Sequence, residues 1–393
     1  MKTFLLSLAL LLPLVACNCS KPQIEEEKEI TKVEVSDTPL SKAEADEAFT
    51  AIRKEWRAEM ARKVQADWDA RSFTIKGQTM KFWHKTYGNV PEGGHSLYIS
   101  LHGGGSAPAS VNDGQWENQK VLYSPAEGVY VAPRAPYDDW DMWFKPLLDE
   151  FYAKLILMYQ AEMNINPNKV YLMGYSAGGD GVWRMAPRMA DSWAAASMMA
   201  GHPGDISMLN LRNTPFMIWC GALDSAYNRN EECRKKTVEL DSLHKADPAG
   251  YIHENHIVEG KEHWMDRVDA AAVPWMAQFT RNPYPSKIVW QQEEVLRKTF
   301  YWIEAPSTEL ARRKTVRLET SGNTIEISEC DYSSLILWLN DSIVDLDSEV
   351  TVNFKGTQVF KGKAVRTSAN IKANLYSRND PNYAFPAKID VKL

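Results

Sequence analysis

The stretch Lys169-Val170-Tyr171-Leu172-Met173 is a short apolar run that enters Gly174-Tyr175-Ser176-Ala177-Gly178 and passes directly into a segment of helical spacing reaching about residue 191. Such a junction narrows the possible folds, because a strand can turn into a helix within two residues only if the flanking positions carry almost no side chain. Glycines at 174 and 178 and the alanine at 177 meet that condition. The same alternation recurs on both sides. Apolar β runs fall at 81–87, 96–101, 128–132, 215–220 and 251–258, and helical spacing falls at 145–163 and 230–245. Strands alternating with helices imply an α/β fold: a doubly wound, mostly parallel sheet covered on both faces.

At 393 residues the chain exceeds one typical domain, and its flanks read differently from its centre. Residues 4–16 form an apolar run too short to span a bilayer but suited to a signal peptide over 1–16, and the run ends Leu14-Val15-Ala16-Cys17. That ending resembles the lipobox of bacterial lipoproteins, which implies export, lipidation of Cys17 and anchoring to a membrane facing the periplasm or cell surface. Polar residues 17–40 then read as a disordered tether. Residues 41–71 place Ala45, Ala48, Phe49, Ile52, Trp56, Met60, Val64 and Trp68 at three- and four-residue steps, the pattern of a long amphipathic helix bracing the body. The α/β pattern occupies 72–285. Beyond Asn282-Pro283-Tyr284-Pro285 it gives way to short β runs, beginning with 299–303, so that 286–393 reads as a small all-β, sandwich-like domain.

The net charge is −6 with no stripe of Lys and Arg interleaved with aromatics, so nucleic acid is not expected as a partner. Of the five cysteines, Cys220 and Cys233 are close enough in sequence for a bridge, which the sequence leaves open; Cys330 reads as a small buried hydrophobe, and Cys19 sits beside the expected anchor. No CxxC or Cys/His spacing suggests a metal, and no cofactor is expected.

A serine hydroxyl becomes a useful nucleophile only with a base to take its proton, a group to orient the base, and donors aimed at the developing oxyanion. Ser176 sits where a strained strand-to-helix turn would expose it. Upstream, Leu101-His102-Gly103-Gly104-Gly105 ends another apolar strand, and such glycines can turn backbone N–H groups toward a carbonyl oxygen. Gly103, Gly104 and Ala177 are the expected oxyanion donors. The order LHGGG, KVYLMGYSAGG, GALD, GKEHW resembles the α/β-hydrolase superfamily, and over about residues 73–279 it is most similar to secreted esterases of the poly(3-hydroxybutyrate) depolymerase, feruloyl esterase and acetyl xylan esterase kind. The resemblance implies a triad of Ser176, Asp224 and His263, with Asp224 just past the strand that follows the nucleophile and His263 in a later loop. His253 and His256, inside an expected strand, read as packing residues. His202 would break the chain order as a base but could line the pocket, and Asp205 and Asp266 are lesser rivals to Asp224.

Residues 134–144 leave the end of a strand on the edge expected to carry the site, and their Trp140 and Trp143 are candidate substrate contacts with His202, or else simply pack under a loop. Trp264 could shield His263 or simply pack. Asp180 and Arg184, four apart on a helix, read as an ion pair. The expected activity is hydrolysis of a small-molecule or polymeric carboxylic ester. The alternatives are a serine peptidase of prolyl-oligopeptidase-like type, and a non-catalytic, lipid-anchored binding protein on the same fold.

Overall fold

The computed structural model describes residues 32–393; the expected signal segment, Cys17, Cys19 and the tether up to residue 31 lie outside the described residues. The central sheet has eight strands: β1 (Ser72–Ile75), β2 (Gln78–Tyr87), β3 (His95–Leu101), β4 (Gly128–Arg134), β5 (Ile165–Tyr175), β6 (Ala195–Met199), β7 (Phe216–Gly221) and β8 (His253–Val258). Their spatial order is β1-β2-β4-β3-β5-β6-β7-β8. The β1–β2 and β2–β4 pairs are antiparallel, and every pair from β4 to β8 is parallel. This is the α/β-hydrolase arrangement that the alternation and the resemblance led one to expect. All seven residues of β3 and of β4 are buried, as strands covered on both faces must be. Alternate residues of β3 feed two cores: Leu97, Ile99 and Leu101 pack on one face, Tyr98 on the other.

Among the described residues seven α-helices accompany the sheets: α1 (Lys42–Ala70), α2 (Ala109–Leu122), α3 (Leu148–Glu162), α4 (Ala177–Arg188), α5 (Arg229–Ala246), α6 (Ala272–Met276) and α7 (Ser368–Arg378). α1 begins at a capping box between Ser41 and Glu44 and ends at Arg71 in the left-handed region, so both termini have partners for their free backbone groups. Its stripe of Ala45, Ile52, Trp56 and Met60 packs with Leu157 of α3 and with Ile371 and Leu375 of α7, tying the central sheet to the C-terminal part. Residues 32–40, read from the sequence as the end of a free tether, are held instead: Val33 N–H donates to buried Glu55 at 2.9 Å, and Leu40 N–H donates to the Arg366 carbonyl.

The C-terminal strands are β9 (Lys287–Gln291), β10 (Thr299–Phe300), β11 (Ile303–Glu304), β12 (Thr315–Ser321), β13 (Thr324–Cys330), β14 (Ser334–Leu339), β15 (Val350–Phe354), β16 (Thr357–Gly362) and β17 (Ala387–Lys392). They form a five-stranded sheet, β16-β15-β13-β12-β9, and a four-stranded sheet, β10-β11-β14-β17, around one apolar core. The run at 299–303 is two short strands rather than one, because Tyr301 takes φ 49° and turns the chain between them. The C-terminal part also contains α7, which the β-run pattern does not predict.

Neither α2 nor α7 carries the apolar period that would mark a helix in the sequence. The buried residues of α2 are Asn112 and Gln119, while Val111 and Val121 face solvent, so no apolar period marks it. α7 is marked only by Ile371 and Leu375, one turn apart, after a Thr367 cap. Against the central body the C-terminal part is seated on buried charge: Asp191 meets Arg297 at 3.1 Å and Arg378 at 3.4 Å, and Arg281 meets Asp380 at 2.7 Å. Removing one partner from such a set strands a buried charge, so these residues fix the docking geometry. Among the described residues no helix is long and apolar enough to cross a membrane.

Candidate active site

The parallel strands deliver their C-terminal ends to one edge of the sheet, and the three motifs meet there. β5 ends at Tyr175, and Ser176 takes φ 58° and ψ −121°, a conformation that costs a non-glycine residue energy and persists only where the surroundings impose it. The flanking glycines are imposed by contact. A Cβ on Gly178 would lie 2.1 Å from the Leu101 carbonyl oxygen, and one on Gly174 would lie 2.5 Å from the Gly178 carbonyl oxygen. The Ser176 N–H donates to the Met199 carbonyl of β6 at 2.9 Å, which fixes the turn against the sheet.

β7 ends at Gly221, and the turn after it carries Asp224, almost wholly buried, on the lead into α5. His263 follows β8. Its Nε2 lies 2.9 Å from Ser176 Oγ and its Nδ1 lies 2.8 Å from Asp224 Oδ2. With the proton on Nδ1, His263 donates to the carboxylate and accepts the serine hydroxyl. The other carboxylate oxygen of Asp224 faces the Arg229 guanidinium at 3.6 Å.

β3 ends at Leu101, and the glycine turn after it is clamped from two sides. His102, buried, has Nδ1 at 2.6 Å from the Gly103 carbonyl, while its Nε2 accepts the Ala135 N–H at 3.1 Å. Burial pulls its pKa down to about 4, so the ring is neutral near pH 7 and can hold both bonds. From α2, Asn112 Oδ1 accepts the Gly105 N–H at 2.9 Å, and its amide donates to Asp138 at 2.7 Å. The third glycine is thereby engaged. The N–H groups of Gly103, Gly104 and Ala177 have no protein acceptor among the described residues.

Two cavities open on either side of this point. One, of about 620 Å³, includes Ser176, His263, Trp264, Gln115 and Asn118 in its walls. The other, of about 310 Å³, includes Gly104, Ala177, Trp140, Phe144, Tyr227, His202, Arg184 and Arg229.

Trp140, 61% exposed, and His202 both reach the smaller cavity, whereas Trp143 does not. Its indole is fully buried beneath the glycine turn and donates to the His102 carbonyl at 2.8 Å; it supports the turn and lines neither of these cavities. Asp180 and Arg184 do not pair with each other. Asp180 accepts the His202 N–H at 2.6 Å, and burial raises its pKa; Arg184 donates to the Pro203 carbonyl at 2.8 Å and approaches Glu294 at 3.4 Å. Asp205 and Asp266 lie on the surface, paired with Arg312 and Lys261. His256 stacks on Trp219 with ring centroids 4.0 Å apart, and His253 pairs with Asp241 at 3.0 Å.

Tyr175 escaped the sequence reading, although it is the variable residue inside the pentapeptide. Its hydroxyl donates to the His263 carbonyl at 2.6 Å and accepts the Met265 N–H at 3.2 Å, tying the histidine loop to the serine turn. Cys220 and Cys233 are buried free thiols in contact across β7 and α5, and Cys330 is a half-buried free thiol. Among the described residues no group of three His, Cys, Asp or Glu is arranged to hold a metal ion.

No protein-family model matches the chain, and no curated protein matches it. Solved structures that it resembles include esterases. A thermostable esterase is 21% identical with TM-score 0.43, over 53% of this chain and 62% of that one. A ferulic acid esterase is 15% identical with TM-score 0.36, over 53% and 96%. The acetyl xylan esterase of Aspergillus awamori is 13% identical with TM-score 0.37, over 50% and 93%.

Proposed function

We propose that the chain is a serine hydrolase that cleaves a carboxylic ester through an acyl-enzyme. The observation that carries this reading is the continuous hydrogen-bonded series Ser176–His263–Asp224, at 2.9 and 2.8 Å, mounted on a strained turn beside three free backbone donors. Ser176 Oγ attacks the ester carbonyl as His263 Nε2 takes its proton. Asp224 holds the imidazole in the required tautomer and stabilises the imidazolium. The N–H groups of Gly103, Gly104 and Ala177 bind the oxyanion, each such donor being worth roughly 10² to 10³ in rate. His263 then gives its proton to the leaving alcohol, and water admitted through the same histidine releases the acid.

Purified protein should hydrolyse p-nitrophenyl acetate and butyrate, and Ser176→Ala should not. An acetylated xylan and a peptide p-nitroanilide complete the panel. No ester turnover by the wild type, or equal turnover by Ser176→Ala, overturns the proposal, and turnover of the anilide above the esters moves it to the peptidases. The apolar run ending in Cys17 supports an exported, lipid-anchored enzyme. Cys17→Ser should then release the protein from the membrane fraction, and continued partitioning of the variant with membranes contradicts lipidation there.

A further inference from the structure

The two cavities differ in which reacting groups they hold, and the chemistry assigns each to one half of an ester. The leaving oxygen must take its proton from His263, which lines the larger cavity and not the smaller. The alcohol half therefore lies in the larger cavity. The acyl half extends past Gly104 and Ala177 into the cavity of about 310 Å³.

That smaller cavity has aromatic walls and two arginines. The Arg184 guanidinium lies 4.8 Å from the Phe144 ring centroid, and the Arg229 guanidinium lies 4.9 Å from that of Tyr227. Neither cation is well satisfied by the protein. Arg229 is only 9% exposed, yet its Nε has no hydrogen-bond partner among the described residues, and its Nη1 has only long approaches, 3.5 Å to the Ala226 carbonyl and 3.6 Å to Asp224. Arg184 spends its Nε on a backbone carbonyl and meets Glu294 at 3.4 Å, longer than a good charge-assisted bond. The one carboxyl in the same wall, Asp180, accepts the His202 N–H and acts on Arg229 and Arg184 through longer-range attraction, without a direct ion pair to either among the described residues. A guanidinium presents several N–H groups in a fixed plane that fits a carboxylate, and burying one with so few partners is costly unless a ligand supplies them.

We infer that the smaller cavity is an acyl-group subsite for an acid bearing a second carboxylate, held by Arg184 and Arg229 between the aromatic side chains of Trp140, Phe144 and Tyr227. The inference rests on the ester-hydrolase reading of Ser176. It assigns a substrate class, esters of small dicarboxylic or ring-borne carboxylic acids, and makes the two arginines specificity-determining residues.

The test compares two p-nitrophenyl esters of one shape: the mono-ester of terephthalic acid, which carries the second carboxylate, and the 4-methylbenzoate, which does not. Each enzymatic kcat/KM is divided by the ester's own alkaline hydrolysis rate. The wild type should favour the carboxylate ester about 10-fold or more, the scale of one charge-assisted hydrogen bond. Arg184→Gln and Arg229→Gln should each cut that preference at least threefold, whereas a purely structural role would lower both esters together and leave the ratio unchanged. Thermal melting of both variants shows which are folded, and the wild-type ratio stands without either. Hydrolysis of the neutral ester with no carboxylate preference overturns the subsite while leaving the esterase reading intact. Hydrolysis of neither ester overturns the subsite, and p-nitrophenyl acetate assayed beside them decides separately whether the esterase reading stands.

Discussion

Replacing Tyr175 by Phe removes a single oxygen atom from the Ser176 site. The phenyl ring keeps its packing against His263 and Trp264, whose ring centroids lie 5.9 and 5.6 Å away. What is lost is the bond to the His263 carbonyl at 2.6 Å and the acceptor for the Met265 N–H at 3.2 Å. Met265 is fully buried, so water cannot replace that acceptor without opening the loop. A buried polar group left without a partner costs roughly 1–3 kcal/mol. The cost falls on the turn carrying His263, and each ~1.4 kcal/mol withheld from the reacting geometry is a factor of about ten in rate. Tyr175→Phe should therefore lower kcat for p-nitrophenyl butyrate about 10-fold or more and move KM by less than about threefold, since no substrate-binding charge or ring is removed. Initial rates over a range of substrate concentrations give both constants, and melting curves on the same samples establish that the variant is folded. A folded variant whose kcat stays within about twofold of the wild type would refute the positioning role of this hydroxyl.

The two tryptophans of the 134–144 segment should separate in opposite senses. Trp143→Ala empties a fully buried site and removes the indole bond to the His102 carbonyl, so it should destabilise by about 3–5 kcal/mol in urea unfolding. Trp140→Ala, at a position 61% exposed, should leave the urea midpoint unchanged and raise KM for ring-bearing acyl esters; the reverse pattern contradicts the placement of both. Asp247 is held down to about 2 from an ordinary 3.8, chiefly by its hydrogen bond with Arg212 and next by Lys287. A carboxyl depressed by nearly two units contributes on the order of 2 kcal/mol above its unfolded pKa, and loses it as pH falls toward the folded value. Asp247→Asn should thus be less stable than the wild type at pH 7, with most of that difference gone near pH 2; a difference that does not change between those pH values is inconsistent with the assignment.

The sequence exposed the parts of this molecule whose physical cause is local. A turn that admits only small residues can be recognised from Gly174, Ala177 and Gly178 without coordinates, and the close contacts those positions make explain why. Strands buried on both faces are continuous apolar runs, so the parallel sheet could be read directly. Asp224 and His263 came from likeness of motif order, since nothing in their spacing brings residues 39 apart to one carboxylate–imidazole contact. Features that depend on tertiary partners left little trace. α2 has a polar buried face because Asn112 and Gln119 satisfy the glycine turn and β3, so apolar periodicity could not find it. Trp143 takes the packing place and not the substrate contact, a choice that composition leaves open because it cannot tell a tryptophan beneath a loop from one above it. The two arginines of the smaller cavity lie 45 positions apart and meet only through the fold.

Covalent chemistry at Ser176 is reported directly, in one experiment, by a serine-directed fluorophosphonate. After inactivation and digestion, mass spectrometry should find a single adduct on the peptide containing Ser176, formed in step with loss of esterase activity, absent from Ser176→Ala and slowed in His263→Ala. An adduct elsewhere, or full activity in protein completely labelled at Ser176, would contradict Ser176 as the nucleophile.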